Sequence, residues 1–428
     1  MKKILLNPIK NIFGSIRLPG SKSIANRILI IASQAIGKTK IYNIPINRDF
    51  FSMLISLRKL GVFCKLKKKK KYCEILGNNG VFRKKNISIN TDNSGTTMRF
   101  LSSSLSVDCK NITITGKKQI LSRPIGDLVR SLLQGGAKIK YLRKNKYPPI
   151  IVNGGLKGGL IKVNCTISSQ FLSGILMIAP QLKKDTKILV EGSICSKSYI
   201  DMTLSIMQQF GVQVENRSYK VFFIKGNQKY ISKGRYFIES DVVSASYFAV
   251  AALYSGRKMV VKGIGKKTIQ GEIKFFYLLK KMGANLKIKK SRIICRKSFL
   301  NFSRNINAIN IPDSSMTLLI SSILFNQNIK IKGLYSWNFK ETNRILVFKK
   351  ELRKIGVNSK VSKNCIKIIK IEEKNKKFIT IDTHGDHRIA MCFSLLCCKG
   401  YLIELLNSSC VDKSFPDFYK FFLHLSNF

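Results

Sequence analysis

The chain has 428 residues, of which 45% are hydrophobic, and this composition is typical of a folded protein with two or three domains. Its formal net charge is +55, from 77 Lys and Arg residues against 22 Asp and Glu residues. A charge of that size ordinarily indicates nucleic acid or another anionic surface as the partner. The excess lysines are spread along the whole chain, however, and no recognition-helix, RNP or zinc-finger signature accompanies them. We therefore expect no specific nucleic-acid partner.

The cysteines, histidines and apolar runs exclude several other classes of protein. The eleven cysteines stand at irregular spacing without a C-x-x-C pair, and only three histidines are present, so we expect neither a disulfide framework nor a metal site. No stretch reaches about 18 uninterrupted apolar residues, and Asn7 and Pro8 interrupt the basic N-terminal segment. Neither a membrane span nor a secretory signal is predicted, and a reducing cytoplasm is the expected location.

The predicted helices recur at a regular interval along the chain. Five amphipathic stretches each end in a Gly followed by Val or Ala. These glycines are 72 to 75 residues apart, and they are Gly61, Gly136, Gly211, Gly283 and Gly356. Each Gly is predicted to end its helix in the left-handed conformation, and the alternating or β-rich run that follows predicts strands and hairpins. The lysine run 67–71 is interpreted as an exposed hairpin tip, and FPDFYKFFLHL predicts a terminal helix.

Six units of similar length therefore fill the chain, and each unit mixes strands with helices. The unit is too long for the common solenoid repeats, so we predict two compact α/β domains of three units each. The midpoint falls near residues 235–240. We expect the chain to start near a hinge and to cross it again at this midpoint. This gives one domain of residues 21–239 and a second of residues 1–20 plus 240–428.

The first stretch that carries chemistry is LPGSKSIANR, residues 18–27, which leads into an apolar, helix-like run. A turn that enters a helix leaves backbone N–H groups free, and the helix dipole favours negative charge at that end. Lys22 and Arg27 add fixed positive charge, so a phosphate or a carboxylate is a fitting guest. The P-loop spacing is missing, and a capped helix start at the surface explains the same residues.

Polar and charged residues recur at predicted helix starts and turns in the other units. Singly, each has an ordinary explanation, such as an N-cap for Asp313 or a salt-bridge pattern on one helical face for Lys340 and Arg344. Arg99 follows a run of small residues and is a candidate anion ligand or part of a tight turn. Together, seven cations and three carboxylates predict a site for one or two doubly anionic small molecules. They are Lys22, Arg27, Arg123, Lys340, Arg344, Arg388 and Lys413, with Asp313, Glu341 and Asp386.

The motifs LPGSKSIANR, NSGTTMRF, RPIGDL, SSQFLSGILMIAP, SKSYIDMTL, KETNR, GDHRIAMCFSL and KSFPDF occur in this order. Over essentially the whole chain they resemble the 5-enolpyruvylshikimate-3-phosphate synthase (EPSP synthase) family. The resemblance implies an α/β fold of the α+β type, with two similar domains of three βαβαββ-type repeats each, in the inside-out α/β barrel of the enolpyruvyl transferases. It also implies an active site in the cleft between the domains.

The implied reaction transfers the enolpyruvyl group of phosphoenolpyruvate to the 5-hydroxyl of shikimate 3-phosphate through a tetrahedral intermediate and releases phosphate. It belongs to the shikimate pathway towards chorismate and aromatic amino acids, and it needs neither a metal nor an organic cofactor. The two substrates are the expected partners of an enzyme that we expect to be a monomer. Both carry a phosphate and a carboxylate, which accounts for the predicted excess of fixed cations.

The resemblance assigns substrate ligands residue by residue, with domain 21–239 binding mainly shikimate 3-phosphate. The implied ligands of shikimate 3-phosphate are Lys22, Ser23, Arg27, Ser168, Ser169, Gln170, Ser196, Tyr199, Asp313, Ser336 and Lys340. The implied ligands of phosphoenolpyruvate are Lys22, Gly95, Arg123, Gln170, Arg344, Arg388 and Lys413. The second domain contributes Asp313, Glu341, Arg344, Arg388 and Lys413.

The reaction requires a general base, a general acid and charge stabilisation. We assign Asp313 to the hydroxyl proton, Glu341 to proton delivery at the methylene carbon, and Lys22 with Lys413 to phosphate and proton handling.

Four positions depart from the pattern of the family. Ser336 replaces an Asn ligand, and Phe100 replaces a Pro near Gly95, which bears on glyphosate sensitivity. Ser122 replaces Glu and Asn343 replaces Asp, so each of the arginines that follow is expected to lose an orienting acid.

Two alternative functions are weighed against this one. The enolpyruvyl transferase that acts on UDP-N-acetylglucosamine shares the architecture, but it would call for a reactive Cys in a mobile loop and lacks the RPIGDL and KETNR context. A basic nucleic-acid or membrane-surface binder is suggested by the charge alone, and its binding would fall steeply as salt concentration rises.

The net charge of +55 predicts that self-repulsion weakens the folded state. Raising the NaCl concentration from about 0.02 M to about 0.5 M shortens the Debye length several-fold and should therefore raise the melting temperature. The measurement is thermal unfolding followed by circular dichroism across this range. A melting temperature that does not change with salt would count against the prediction.

Overall fold

The structure is a computed structural model, and it describes residues 2–372 and 377–427. The α-helices in these residues are α1 (Lys22–Gln34), α2 (Arg48–Lys59), α3 (Gly95–Ser104), α4 (Lys118–Leu121), α5 (Gly126–Gln134), α6 (Gln170–Ile178), α7 (Lys197–Gln209), α8 (Val242–Ser255), α9 (Lys274–Lys281), α10 (Ser315–Leu324), α11 (Arg344–Lys354), α12 (His387–Phe393) and α13 (Phe418–His424).

The strands of the first half are β1 (Lys3–Leu6), β2 (Asn11–Ile12), β3 (Gly14–Arg17), β4 (Lys38–Tyr42), β5 (Phe63–Lys67), β6 (Tyr72–Leu76), β7 (Lys85–Asn90), β8 (Lys110–Thr115), β9 (Ile139–Tyr141), β10 (Ile150–Val152), β11 (Gly159–Asn164), β12 (Thr186–Glu191), β13 (Glu215–Arg217), β14 (Val221–Ile224) and β15 (Arg235–Phe237). Those of the second half are β16 (Lys258–Lys262), β17 (Leu286–Ile288), β18 (Arg292–Arg296), β19 (Asn305–Asn307), β20 (Lys330–Lys332), β21 (Val357–Ser362), β22 (Cys365–Ile371), β23 (Phe378–Asp382), β24 (Leu402–Leu406) and β25 (Ser426–Asn427).

The chain divides into two compact units. The central unit comprises residues 20–238, and the terminal unit comprises residues 1–19 together with residues 239–428. The terminal unit is therefore built from both ends of the chain.

Six sheets repeat one pattern, in which a parallel pair of strands is extended on one side by antiparallel strands. The sheets of the central unit have the orders β15-β4-β6-β5, β7-β8-β10-β9 and β11-β12-β14-β13. Those of the terminal unit have the orders β17-β18-β16-β3, β19-β20-β22-β21 and β1-β24-β23. Four of the parallel pairs are consecutive strands joined through a helix, as in β7–α3–β8 and β19–α10–β20. The predicted α/β fold with a βαβαββ-type repeat is confirmed.

The two passages of the chain from unit to unit explain which strands complete the first repeat of each unit. β15 precedes the second passage and pairs in parallel with β4, with Arg235 opposite Lys40 and Phe237 opposite Tyr42. β3 precedes the first passage and pairs in parallel with β16. Each unit therefore receives the first strand of one repeat from a segment distant in sequence.

Three helices in each unit are buried on nearly all sides: α1, α3 and α6 in the central unit, and α8, α10 and α12 in the terminal unit. Serine hydroxyls in these helices donate to backbone carbonyl groups one turn earlier, as Ser102 Oγ does to the Met98 carbonyl at 2.7 Å. The strands alternate between buried and exposed side chains, and lysines such as Lys258 and Lys262 occupy exposed positions. The lysines of the strands thus lie on the outer faces of the sheets.

The amphipathic helices end where the sequence predicts. Each of the five repeat glycines has a positive φ, between 78° at Gly356 and 98° at Gly136, and each follows its helix within two residues. The predicted hairpin tip is confirmed as well, because residues 68–71 form an exposed turn between β5 and β6. The predicted terminal helix is α13.

Two local predictions are wrong. Lys340 and Arg344 do not share a helical face, because Lys340 has extended backbone after the 3-10 helix Tyr335–Phe339 and α11 begins only at Arg344. Asp313 is not an N-cap either, since Ser314 holds that position before α10.

The eleven cysteines all lie in the described residues and are free thiols. None of the helices in the described part of the chain is long and apolar enough to cross a membrane.

Replacing Gly211 by Ala should destabilise the protein by about 1–2 kcal/mol, because an added Cβ meets no atom within 4 Å and only backbone strain remains. The same change at Gly136 should cost more, because its Cβ would come within 2.9 Å of the carbonyl oxygen of Gly155. Urea denaturation measures both changes in the free energy of unfolding. Gly211→Asn is the control and should lose less, since Asn tolerates this conformation. Equal losses at the two glycines would contradict the steric argument.

Candidate active site

In the central unit, the N-terminal ends of several helices carry the predicted ligands and are tied together by side-chain hydrogen bonds. Asn26 of α1 donates from Nδ2 to Thr96 Oγ1 of α3 at 2.8 Å. Arg27 of α1 donates from Nη2 to the backbone oxygen of Tyr199 in α7 at 3.3 Å. Several helix N-termini thus face one region, and their free N–H groups and dipoles favour an anion there.

Lys22 is the first residue of α1, and its Nζ lies 2.9 Å from Asp49 Oδ2. Asp49 is buried in the first turn of α2. This carboxylate was not singled out from the sequence, because an acid in the first turn of a helix is common for electrostatic reasons alone. Its contact fixes the lysine that is predicted to touch both substrates.

Arg27 is almost completely buried, and its guanidinium group also serves the scaffold. It donates from Nε to Thr203 Oγ1 at 2.8 Å, and its Cζ lies 5.3 Å from the centroid of the Phe100 ring. Burial lowers the pKa of Arg27 to about 10, although the Tyr199 hydroxyl opposes this. Phe100, which departs from the family pattern, thus forms the surface on which this cation rests.

Gly95 and Arg123 are brought into contact. A Cβ on residue 95 would lie 2.9 Å from Arg123 Nη1, so only glycine leaves room for the guanidinium group. Arg123 is 8% exposed. Pro124 precedes α5 by two residues, so the arginine belongs to the turn before the helix.

Arg99 holds two predicted ligands in place. Its Nη1 donates to Gln170 Oε1 at 2.7 Å and to Ser168 Oγ at 3.3 Å, and its Cζ lies 5.2 Å from the Phe171 ring centroid. The sequence indicated a ligand or a turn at this position. Arg99 therefore positions Gln170, which is 71 residues away in sequence, and no local pattern could predict this contact.

The remaining ligands predicted in this unit surround the starts of α6 and α7. Ser169 is the N-cap residue of α6, and Ser196 is the N-cap residue of α7. Ser196 is 4% exposed and adopts a left-handed conformation with φ of 70°. That conformation costs a non-glycine residue about 1–3 kcal/mol, and such strain is concentrated at functional sites. Ser23 lies at the start of α1, where its backbone oxygen accepts from Arg27 Nη1 at 2.9 Å.

The terminal unit carries a cluster of charges centred on Arg344, whose side chain is 1% exposed. Its Nε donates to Asp386 Oδ2 at 2.8 Å, its Nη2 to Glu341 Oε2 at 3.0 Å, and its Nη1 to Asp313 Oδ1 at 3.2 Å. Burial would lower the pKa of Arg344, but the three carboxylates raise it above its ordinary value. Asn343 accepts from the Leu346 N–H as the N-cap residue of α11. The expected loss of an orienting acid is therefore compensated by three other carboxylates.

Asp313 joins the other cations to this cluster. Its Oδ2 accepts from Arg388 Nη2 at 2.9 Å, and its Oδ1 lies 3.8 Å from Lys340 Nζ. Burial raises the pKa of this carboxyl, but attraction to Arg388, Lys340 and Arg344 more than reverses the effect and holds the pKa well below its usual range. Asp313 is therefore firmly ionised here.

Two further predicted residues adjoin the cluster. Lys413 Nζ lies 3.7 Å from Glu341 Oε1, and Lys413 is 7% exposed. Ser336 is buried on the 3-10 helix Tyr335–Phe339, whose Trp337 donates from Nε1 to the Pro312 carbonyl at 2.7 Å. That bond links the segment of Ser336 to the turn that carries Asp313.

Buried cations are confined to these two clusters. Within residues 2–372 and 377–427, the Lys and Arg residues that are less than 9% exposed are Arg27, Arg99, Arg123, Arg344 and Lys413. Burying a charge is costly unless it is paired, so these positions are maintained at an energetic cost. In the terminal unit, however, three carboxylates stand among the four predicted cations, and most of the predicted excess of positive charge lies in the central unit.

No group of three or more His, Cys, Asp and Glu side chains that could hold a metal ion occurs in the part of the chain that the structure describes. The polar clusters are built instead from arginine, lysine and carboxylate groups.

Replacing Arg344 by Ala should destabilise the protein by about 3–5 kcal/mol, because three buried carboxylates lose their shared partner. Urea denaturation measures the change. The control is Arg130→Ala, which also removes an arginine with two carboxylate partners, Glu191 and Asp127, but from a half-exposed site. It should cost less than about 1 kcal/mol. Similar losses in both variants would contradict the role given to burial.

The family model described as EPSP synthase (3-phosphoshikimate 1-carboxyvinyltransferase) matches residues 6–422. A 3-phosphoshikimate 1-carboxyvinyltransferase of Buchnera aphidicola subsp. Cinara cedri is 44% identical over 427 residues, which cover 99% of this chain and 98% of the relative. One from Escherichia coli (strain SMS-3-5 / SECEC) is 40% identical over 421 residues, 98% of each chain.

Solved structures show the same fold. EPSP synthase from Acinetobacter baumannii has a TM-score of 0.81 at 23% identity and covers 100% of this chain and 98% of its own. The enolpyruvyl transferase NikO from Streptomyces tendae has a TM-score of 0.76 at 12% identity and covers 99% of this chain and 97% of its own. The family match and the identity over nearly the whole length carry the assignment: the chain belongs to the EPSP synthase family.

Proposed function

We propose that the two clusters act on phosphoenolpyruvate and shikimate 3-phosphate as the family assignment implies. The enolpyruvyl group moves to the 5-hydroxyl of shikimate 3-phosphate, and phosphate is released. The observation that carries the proposal concerns the five buried cations of the described residues. Four of them stand at predicted ligand positions, and the fifth, Arg99, holds two further ligands in place. Both substrates carry a phosphate and a carboxylate, which such cations bind. The family match, rather than the fold, separates this function from transfer to UDP-N-acetylglucosamine.

Shikimate 3-phosphate is bound by the helix starts of the central unit and by three residues of the terminal unit. Backbone N–H groups and hydroxyls at the starts of α1, α6 and α7 suit a phosphate, because they donate to its oxygens without adding net charge. The bond from Arg99 turns the amide oxygen of Gln170 away and leaves its NH2 group available for a substrate oxygen. The ligands are Lys22, Ser23, Arg27, Ser168, Ser169, Gln170, Ser196, Tyr199, Asp313, Ser336 and Lys340.

Phosphoenolpyruvate is bound mainly by guanidinium groups, which match carboxylate and phosphate oxygens two at a time. Gly95 lets Arg123 lie against the backbone of α3, where it contributes to this site. The ligands are Lys22, Gly95, Arg123, Gln170, Arg344, Arg388 and Lys413.

The first chemical step adds the hydroxyl across the double bond. Asp313 accepts the proton of the 5-hydroxyl while the hydroxyl oxygen bonds to the central carbon of phosphoenolpyruvate. Glu341 delivers a proton to the methylene carbon, which becomes a methyl group. In the second step the methyl group returns a proton to Glu341 as the C–O bond to phosphate breaks. The proton on Asp313 passes to the departing phosphate, so both carboxyl groups return to their starting states. Lys22 and Lys413 stabilise the charge on the departing phosphate.

Substrate binding prepares Asp313 for this role. In the structure its carboxylate is held by Arg388 and Arg344, which depress its pKa and make it a weak base. The anionic groups of phosphoenolpyruvate compete for the same two guanidinium groups. Their binding neutralises that positive charge, so the pKa of Asp313 rises when the hydroxyl needs a proton acceptor.

The same proposal covers assembly and location. We infer that the chain acts as a monomer in the cytoplasm, and its eleven free thiols support a reducing compartment.

The test is phosphate release from phosphoenolpyruvate by the purified protein, with and without shikimate 3-phosphate. Release should require shikimate 3-phosphate, and Glu341→Gln or Lys22→Ala should lower kcat by about 10²- to 10⁴-fold. Lys68→Ala is the control for Lys22→Ala because Lys68 is exposed in the turn between β5 and β6, and it should retain full activity.

Two outcomes would contradict the proposal. A folded wild-type protein that releases no phosphate would refute the activity, and release that ignores shikimate 3-phosphate would indicate a phosphatase. Loss of activity in Lys68→Ala as well would mean that net charge, rather than the site, governs the rate.

A further inference from the structure

Glu272 is a buried carboxylate that the mechanism above does not use. It lies on the 3-10 helix Gly271–Ile273 and is 3% exposed. Its Oε1 accepts from the backbone N–H of Asp313 at 3.1 Å, and its Oε2 accepts from the backbone N–H of Ser314 at 3.1 Å. One carboxylate thus holds two consecutive N–H groups of the turn that carries the proposed base.

That turn has no side-chain cap of its own. Ser314, the N-cap residue of α10, makes no capping bond with its side chain. The first N–H groups of a helix otherwise need a partner, and Glu272 supplies it from another segment. The carbonyl of Pro312 is held separately, by Trp337 Nε1 at 2.7 Å and by Ser315 Oγ at 2.9 Å. Two N–H groups and one carbonyl group of the turn are therefore held by hydrogen bonds.

The segment that carries Glu272 is anchored by Gln270, which lies two residues earlier in the chain. Gln270 accepts from the Val242 N–H with Oε1 at 3.1 Å and donates from Nε2 to the Ser240 carbonyl at 2.9 Å. These bonds connect the segment to the start of α8, in which 13 of the 14 residues are buried. The carboxylate is consequently held on a rigid support, as accurate placement of a catalytic group requires.

We propose that Glu272 is a positioning residue for the transfer reaction, which acts by fixing the backbone of Asp313 so that its carboxylate meets the 5-hydroxyl. The inference rests on the proposed role of Asp313. A carboxylate suits the task better than an amide, because both of its oxygens accept, whereas a glutamine would turn an NH2 group towards one of the two N–H donors.

The charge of Glu272 has a second consequence for the same base. Burial and the negative charge of Asp313 raise the pKa of Glu272 to about 7, while the bonds from the turn and Arg388 oppose the shift. Two carboxylates this close repel each other, so each stabilises the other's proton. Glu272 therefore helps to restore basicity to Asp313 in addition to fixing its backbone.

The test is a double-mutant cycle with Glu272→Gln and Asp313→Asn, using phosphate release with both substrates. In the wild-type background Glu272→Gln should lower kcat by about 10- to 100-fold and change either KM by less than about threefold. In the Asp313→Asn background the same substitution should change kcat by less than about threefold, because the group it positions is gone. Glu272→Asp keeps two acceptor oxygens and should retain more activity than Glu272→Gln.

A second measurement does not depend on turnover. Hydrogen exchange of the peptide that contains the N–H groups of Asp313 and Ser314 should be at least about tenfold faster in Glu272→Gln, while the rest of α10 stays protected. Glu74→Gln is the matched control, since Glu74 is also a buried carboxylate but pairs with Lys38 and Lys40 in the central unit. It should change neither exchange at the turn nor kcat.

Equal losses of kcat in both backgrounds would overturn the positioning role and leave a merely structural one. Unchanged kcat, or unchanged exchange at the turn, would overturn it as well. If the wild type is active and the effects of the two substitutions are additive, the positioning role of Glu272 is refuted while the proposed function stands. A wild type without shikimate 3-phosphate-dependent release refutes the proposed function, and with it this inference.

Discussion

The terminal unit depends on the burial of one guanidinium group, that of Arg344, among three carboxylates. A buried arginine without partners would cost several kcal/mol, and so would each carboxylate left alone. The three ion pairs therefore stabilise one another, and they join segments that are distant in sequence: the turn before α10, the start of α11 and the N-cap of α12. Because Asp313 is shared with Arg388 and Lys340, and Glu341 with Lys413, the proposed reacting groups of the terminal unit are fixed by the same network.

In the function proposed above, the central unit binds anions by other means. Its buried cations Arg27 and Arg99 hold hydroxyls, carbonyls and an amide, and they rest on aromatic rings. Helix N-termini supply much of the remaining positive potential. The net charge of +55 has little part in this, since the lysines that produce it are spread along the chain, and in its described part all but Lys413 are exposed or half-buried. Composition alone therefore says little about the site.

Local patterns in the sequence were enough to predict the helices, their glycine ends and the sixfold repeat, because helix periodicity and the left-handed preference of Gly61 or Gly211 are properties of short segments. The candidate residues were found as cations at helix starts, which is also a local signal. The roles of Asp49, Arg99 and Glu272 were not predictable in this way, since each depends on a partner that tertiary structure brings close. For the same reason the local pattern favours a cap at Asp313, and it predicts for Lys340 a helix that begins only four residues later.

The ion pairs of Asp313 with Arg344 and Arg388 bear on how substrate binding precedes the proposed reaction. Arg344 and Arg388 both face carboxylates, so the cluster is stable and Asp313 is a poor base. In the function proposed above, an anionic substrate gains contacts with these two arginines only by weakening their ion pairs, and part of its binding energy is spent on that exchange. Because the ion pairs of Asp313 are weakened, this part of the binding energy raises the proton affinity of Asp313 in the proposed reaction. Binding energy is thereby converted into catalysis rather than into tighter binding of the ground state.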